Sequence, residues 1–166
     1  MIDAMDKAAG LSPDEALFAA RRFRPEFVRG AEECRLSVLQ PANDQGLAPN
    51  LRVALARRMA ALNADPILMA EYDVQLAQLD PTEQLLALAQ GETDLIEPLA
   101  TIVRHVDLIT LTPKSAEASH IALLEKAGLN NPQIVALSEL IAFVNFQTRV
   151  ASGLRLMRST LSPRFV

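Results

Sequence analysis

A stripe of small and polar side chains near the C-terminus is the first place in this sequence where chemistry could occur. Its members follow one another at spacings of four, three, four and three residues, which places them on one face of a helix: Ser138, Ala142, Asn145, Arg149 and Ser152. Arg149 in such a stripe could hold an anion or a buried carboxylate. The alternative is a contact between helices at which small residues permit close approach, and the pattern favours this structural interpretation.

A second group of residues could complete a pocket around the stripe. Tyr72 with Glu71, and Arg52 with Arg57 and Arg58, could line a pocket with Asn145 and Arg149. Such a pocket would suit a small organic acid, held by the arginine while the tyrosine or glutamate gives a proton. No spacing in the sequence requires this arrangement, which therefore stands as a hypothesis for an enzyme.

The other reactive side chains are one cysteine and two histidines. The acidic neighbours of Cys34 would raise the pKa of its thiol and lower its reactivity, so we expect a half-exposed or core thiol. His105 and His120 are not at the His-x-x-x-His spacing typical of zinc sites, and we predict neither a metal nor a cofactor. We expect His105 on a solvated helix face or in a single satisfied hydrogen bond.

Composition predicts that helices alone position these residues. Ala and Leu dominate, aromatic residues make up 4%, and no alternating Val, Ile and Thr suggests a sheet. Capping residues followed by proline mark helix starts at Ser12-Pro13, Asp65-Pro66, Asp80-Pro81 and Asn131-Pro132, and Ser115 is a further candidate cap. The predicted helices are 13–22, 26–39, 50–63, 66–79, 82–90, 95–109, 115–127 and 132–159.

The length favours one domain over residues 1–166. The loop from Gln40 to Pro49 separates an N-terminal helical arm, residues 1–40, from a core at residues 50–160. The helix 132–159 is apolar on most sides and must be buried. Because one chain of this size offers little room for it, we predict a helical core shared between subunits, and hence a homo-oligomer.

Charge and sequence pattern exclude several classes of function. The net charge is −4, and glutamates interrupt the densest group of arginines between residues 21 and 35, so no basic face for nucleic acid is expected. Asp3 and Asp6 argue against a signal peptide. Glu139 and Arg149 break the apolar stretches short of the roughly 18 residues of a membrane span. With a single cysteine, these features predict a cytoplasmic protein.

Two phrases in the C-terminal half resemble the AhpD-like, or carboxymuconolactone decarboxylase, superfamily. The segment Leu123–Asn130 resembles the "LRxAGLSD" turn of peroxidase-related members, and Ile141–Arg149 resembles the "fNfxNR" signature of the helix that follows. The similarity extends more weakly to about residue 50, and residues 1–40 resemble the arm of the subgroup called CMD-domain proteins. The resemblance implies an all-helical bundle that assembles into dimers to hexamers.

In redox-active members of this superfamily, a Cys-x-x-Cys pair followed by a histidine reduces peroxides or a partner peroxiredoxin. The pattern "NxCxYCxxxH" falls on residues 63–72 of this chain, where Asp65 and Leu68 stand at the cysteine positions and Tyr72 stands near the histidine. Aspartate and leucine form neither a disulfide nor a sulfenic acid, so this constellation cannot be a thiol peroxidase. We interpret Asp65 as the N-cap of the helix that Pro66 opens.

Three functions follow from these observations. The leading prediction is an AhpD-like oligomer without redox chemistry, with a binding or structural role and a redox-active relative as a potential partner. The alternative is a decarboxylase or isomerase that needs no cofactor and acts on a small carboxylated molecule. The third is an alkylhydroperoxidase-type antioxidant, which rests on the family name only.

Overall fold

The computed structural model describes residues 1–161. This range consists of helices joined by loops, with no strand among the described residues. This confirms the predicted all-α class. The helices are α1 (Ala4–Ala9), α2 (Ala16–Arg21), α3 (Pro25–Leu39), α4 (Pro49–Leu62), α5 (Pro66–Ala77), α6 (Glu83–Gln90), α7 (Leu99–Leu111), a 3-10 helix (Pro113–Ser115), α8 (Ala118–Lys126) and α9 (Asn131–Leu161).

The central helix of the bundle is α4, which contacts α3, α5, α6, α7 and α9. Residues 52–60 of α4 are all buried, because neighbours surround every face of this segment. Its small side chains, such as Ala56 and Ala60, let the surrounding helices approach closely, whereas Leu55 and Met59 fill the space between them. Burying each of these larger side chains contributes about 1.5–3 kcal/mol to stability.

The long C-terminal helix α9 packs one face on this core through Leu137, Leu140, Ile141 and Val144. The stretch from Asn131 to Thr160 is long and apolar enough to cross a membrane by length and composition. By these two measures, the prediction that Glu139 and Arg149 break the apolar stretches short of a membrane span is wrong. However, 61% of its most apolar 18-residue window is buried inside the protein, as in the core helix of a globular protein.

The N-terminal arm packs on α9 of the same chain, through α1, α2 and α3. Met5, Ala8, Val38 and Leu39 belong to the same apolar cluster as the buried residues of α4 and α9. The sequence does not predict α1, which is six residues long and begins at a reciprocal cap between Asp3 and Asp6. The arm is therefore continuous with the core along one side of α9.

Several helix starts differ from the predicted ones because nearby groups compete for the caps. The carboxylate of Glu15 is bonded to Arg158 at 2.7 Å instead of closing a capping box with Ser12, and α2 begins at Ala16. Asn130, not Asn131, exchanges hydrogen bonds with Gln133 at the start of α9. Two further caps each lie two residues downstream of the predicted ones: Thr82 in place of Asp80, and Glu117 in place of Ser115.

Candidate functional site

The residue at the first cysteine position of the superfamily pattern, Asp65, is a buried structural carboxylate. Its Oδ1 accepts a hydrogen bond from the backbone N–H of Leu68 at 3.1 Å, which confirms the predicted N-cap of α5. Its Oδ2 lies 2.6 Å from Nη2 of Arg155 on α9, and the side chain is 1% exposed. Arg155 also donates to the backbone oxygen of Ala8 at 2.7 Å. The pair of Asp65 and Arg155 thus joins α5, α9 and α1.

The other two positions of the pattern are sealed inside the core. Leu68 is completely buried, and Tyr72 is 1% exposed. The Tyr72 hydroxyl donates a hydrogen bond to Oε1 of Gln147 on α9 at 2.5 Å. Burial, together with the neighbouring Glu71, raises the pKa of Tyr72 well above its usual range. A buried tyrosine that keeps its proton this strongly is poorly suited to donating it to a substrate.

The polar stripe of α9 divides into a buried part and an exposed part. Asn145 is buried; its Nδ2 donates to the backbone oxygen of Ile141 at 3.0 Å, and its Oδ1 accepts from Asn63 at 3.1 Å. Arg149 is exposed, and within residues 1–161 it makes no hydrogen bond or ion pair. The arginine that would hold an organic acid is therefore at the surface, whereas the tyrosine that would donate the proton is in the core.

Arg52, the next residue of the predicted pocket, holds the loop before α4. Its guanidinium donates to the backbone oxygens of Leu47 at 2.7 Å, Val38 at 2.8 Å and Asp44 at 2.7 Å. Arg57 and Arg58 on the same helix are likewise bonded to backbone oxygens and to one carboxylate each. These buried arginines donate to backbone oxygens of loops and helix ends, a role that composition does not predict.

Glu71 lies half-buried on α5 beside Gln75, whose Nε2 donates to its Oε1 at 3.2 Å. Burial raises the pKa of Glu71, and the positive charge of Arg35 on α3 opposes that rise. Five of the predicted pocket residues thus lie in different surroundings: Glu71 beside the arm, Arg52 at the loop, Tyr72 and Asn145 in the core, and Arg149 at the surface.

Cys34 is exposed on α3. Its partial burial, together with Glu139 on α9, raises the pKa of the thiol. The predicted direction of this shift is therefore correct, but its second cause is a carboxylate that the sequence does not place nearby. Reactive cysteines lie in electropositive surroundings that lower the thiol pKa, and Cys34 has the opposite environment.

A groove between α7, α8 and α9 is a candidate site that the sequence pattern does not predict. It has two adjoining lobes of about 240 Å³ and about 470 Å³, and His105 lines both. The smaller lobe is lined by Thr101, Arg104, His105, Leu108, His120 and Leu123. The larger lobe has mainly apolar walls, with Ile109, Ile121, Ile141 and Ala142 among them, and Glu117 and Ser138 as polar members.

His105 is 7% exposed, and its ring makes no hydrogen bond to any residue in the range 1–161. The expectation of a solvated face or a satisfied hydrogen bond is wrong. Burial and the nearby His120 lower the pKa of His105, which keeps the imidazole neutral near pH 7. A helical spacing of three and four residues from Ile102 and Ile109 could have indicated this buried position.

Comparison with known proteins gives a similarity of fold. No protein-family model and no curated protein match the chain. A solved structure of an uncharacterized peroxidase-related protein from Silicibacter sp. TM1040 is similar, with a TM-score of 0.69, 18% identity and coverage of 81% of this chain and 71% of that chain. At this identity the similarity concerns the fold. The chain therefore has the all-α fold of a peroxidase-related protein, in agreement with the AhpD-like resemblance of its sequence.

Proposed function

We propose that this chain is a member of the AhpD-like superfamily that has lost thiol redox chemistry and acts as a ligand-binding homo-oligomer. The observation that carries the proposal is the state of Asp65. At the position of the first redox cysteine, this residue caps α5 and pairs with Arg155 at 2.6 Å, while Leu68 fills the core at the second position. Both positions therefore serve stability rather than chemistry.

Exposed apolar residues on α9 support the oligomeric part of the proposal. Val135, Phe146, Leu156 and Met157 are each exposed by 45% or more, although other residues of α9 are buried against the arm and the core. Large apolar side chains in such numbers on one exposed helix are typical of a surface that packs against another subunit. The groove at His105 supports the ligand-binding part, because pockets of several hundred Å³ with a few polar groups are typical of small-molecule sites.

A decarboxylase-type reaction at the predicted pocket is not favoured by the geometry. It requires Arg149 and Tyr72 to contact one substrate, but Arg149 is exposed and Tyr72 is sealed in the core by its bond to Gln147. The antioxidant hypothesis requires a reactive thiol pair, and the sequence has one cysteine.

The proposal is tested by steady-state consumption of cumene hydroperoxide with dithiothreitol as the thiol donor. We expect the rate with wild-type protein to equal the rate without protein, and Cys34→Ser to have no effect. Consumption well above that background, abolished by Cys34→Ser, would overturn the proposal. Sedimentation velocity on the same samples tests the oligomer, and a monomer at micromolar concentration would contradict that part.

A further inference from the structure

We propose that the groove between α7, α8 and α9 binds a monocarboxylic acid with a short hydrocarbon chain, with the carboxylate between His105 and Arg104 and the chain in the larger lobe. This inference rests on the proposed ligand-binding function and names the ligand class and the site. It is independent of the segment around Asp65.

The first argument is the unpartnered imidazole. A buried polar group without a hydrogen bond is costly, and native proteins rarely keep one unless a water or a ligand satisfies it. His105 is more than nine-tenths buried, has no hydrogen bond among residues 1–161, and lines both lobes. A neutral imidazole carries one N–H donor, which an oxygen of the ligand would accept.

The second argument concerns the charge at the smaller lobe. Both side-chain hydrogen bonds of Arg104, to Glu97 at 3.0 Å and to Thr101 at 2.6 Å, are donated by Nη2. Its Nε and Nη1 hydrogens are therefore available to a carboxylate. His120 also lines this lobe, and its Nδ1 accepts a hydrogen bond from the backbone N–H of Glu117 at 2.9 Å. A neutral His120 ring therefore carries its proton on Nε2, which is a further donor for a carboxylate.

The third argument is the apolar character of the larger lobe, which fixes the orientation of the ligand. Its walls include Ile109, Ile121, Ile141 and Ala142, which suit a hydrocarbon chain. The carboxylate of Glu117 also lines this lobe and would repel an anion there. Charge complementarity therefore places the carboxylate at Arg104 and the chain at the isoleucines.

Octanoate binding, measured by isothermal titration calorimetry with the full chain, tests the inference. We expect saturable binding of octanoate and about tenfold or more weaker binding of 1-octanol, which has the same chain length without the charge. The substitution Arg104→Gln should weaken octanoate binding by a similar factor. Arg24→Gln removes an arginine that does not line the groove and should leave the affinity unchanged.

A second pair of variants tests the location. Ala142 is exposed on α9 and lines the larger lobe, so Ala142→Phe fills the lobe without disturbing the core and should abolish binding. Val74→Phe adds the same ring at an exposed position of α5 outside both lobes and should bind as wild type does. Circular dichroism checks that each variant is folded.

Any of three results would overturn the inference: no octanoate binding by folded wild type, equal binding of octanoate and octanol, or unchanged binding by Ala142→Phe. If wild type does not bind and Ala142→Phe changes the sedimentation coefficient, the groove is a subunit contact and the inference is wrong. None of these outcomes alters hydroperoxide consumption, so failure here is distinguishable from failure of the proposed function.

Discussion

The carboxylate of Asp65 and the guanidinium of Arg155 lie 2.6 Å apart and connect the start of α5 to the last third of α9. The carboxylate is almost fully buried, and the arginine is half-buried with a second bond to the backbone oxygen of Ala8. Buried pairs of this kind are costly to break from one side, because the remaining charge loses its partner. The position that resembles the first cysteine of the AhpD-like redox pattern therefore carries an inter-helix contact in this chain.

The first prediction concerns Asp65→Asn. Asparagine keeps the size and the N-cap but removes the charge, so we expect the free energy of unfolding to fall by about 1.5–3 kcal/mol in urea denaturation. Asp65→Ala should lose about 1 kcal/mol more, because the cap is lost as well. The control is Glu26→Gln, which removes a 51%-exposed carboxylate from its pair with the 62%-exposed Arg24 and should leave the free energy of unfolding nearly unchanged. A loss by Asp65→Asn no larger than that of the control contradicts a structural role for the pair.

The second prediction concerns the buried hydrogen bond between Tyr72 and Gln147. Tyr72→Phe leaves the Gln147 side chain without its partner and should lower the free energy of unfolding by about 1–3 kcal/mol. Replacing both partners, with Tyr72→Phe and Gln147→Met, should recover most of this loss, since neither polar group is then buried unpaired. Chemical denaturation of the wild type and the three variants completes the cycle. Strictly additive losses would show that the bond contributes nothing.

These two contacts illustrate how far the sequence predicts the site. Asp65 followed by Pro66 is a local signal, and a local signal is sufficient to predict an N-cap. Its ion pair with Arg155 spans 90 positions of the sequence, and no single-sequence pattern predicts such a distance. Most helix ranges are predicted correctly because they too depend on local signals. The caps at Ser12 and Asn131 are not predicted correctly, because Glu15 bonds to the distant Arg158 and Asn130 caps α9 in place of Asn131.

The residues of the predicted pocket lie in different surroundings for a related physical reason. Helical periodicity places Asn145 and Arg149 on one stripe, but it does not say which part of the stripe other helices cover. Asn63 covers Asn145, whereas Arg149 remains exposed. His105 shows the converse case, because its burial between apolar neighbours on α7 is readable from spacing, but its missing hydrogen bond is visible only in three dimensions.

The third prediction concerns pH and Glu71. Burial raises the folded-state pKa of this carboxyl above its unfolded value, so its contribution to stability is present at low pH and is lost as pH rises through the folded-state pKa. The difference in unfolding free energy between Glu71→Gln and wild type should therefore shift in favour of the variant between pH 4 and pH 7. Glu33→Gln removes the same charge from an exposed position of α3 and serves as the control. A shift towards wild type with rising pH would contradict the sign of this effect.

The fourth prediction concerns the stability cost of the groove. Because His105 is buried without a hydrogen bond, His105→Leu should raise the free energy of unfolding of the ligand-free protein by about 1–3 kcal/mol. Substitutions that remove a polar group kept for function commonly raise stability in this way. Thermal denaturation gives the measurement, and Thr101→Val, on the same helix and lining the same lobe, is a control because the Thr101 hydroxyl is already bonded to Arg104. Destabilisation by His105→Leu would show that the imidazole has a structural partner.

The most direct test of the central claim, that this fold carries no thiol redox chemistry, is the second-order rate constant for oxidation of Cys34 by hydrogen peroxide. Cys34 is the only cysteine in the sequence, so any thiol chemistry must pass through it. Its exposed position and raised thiol pKa predict a rate constant no greater than that of the urea-unfolded chain at the same pH. A rate constant for the folded protein that exceeds the unfolded value by roughly a hundredfold or more, the mark of an activated thiolate, would contradict the claim.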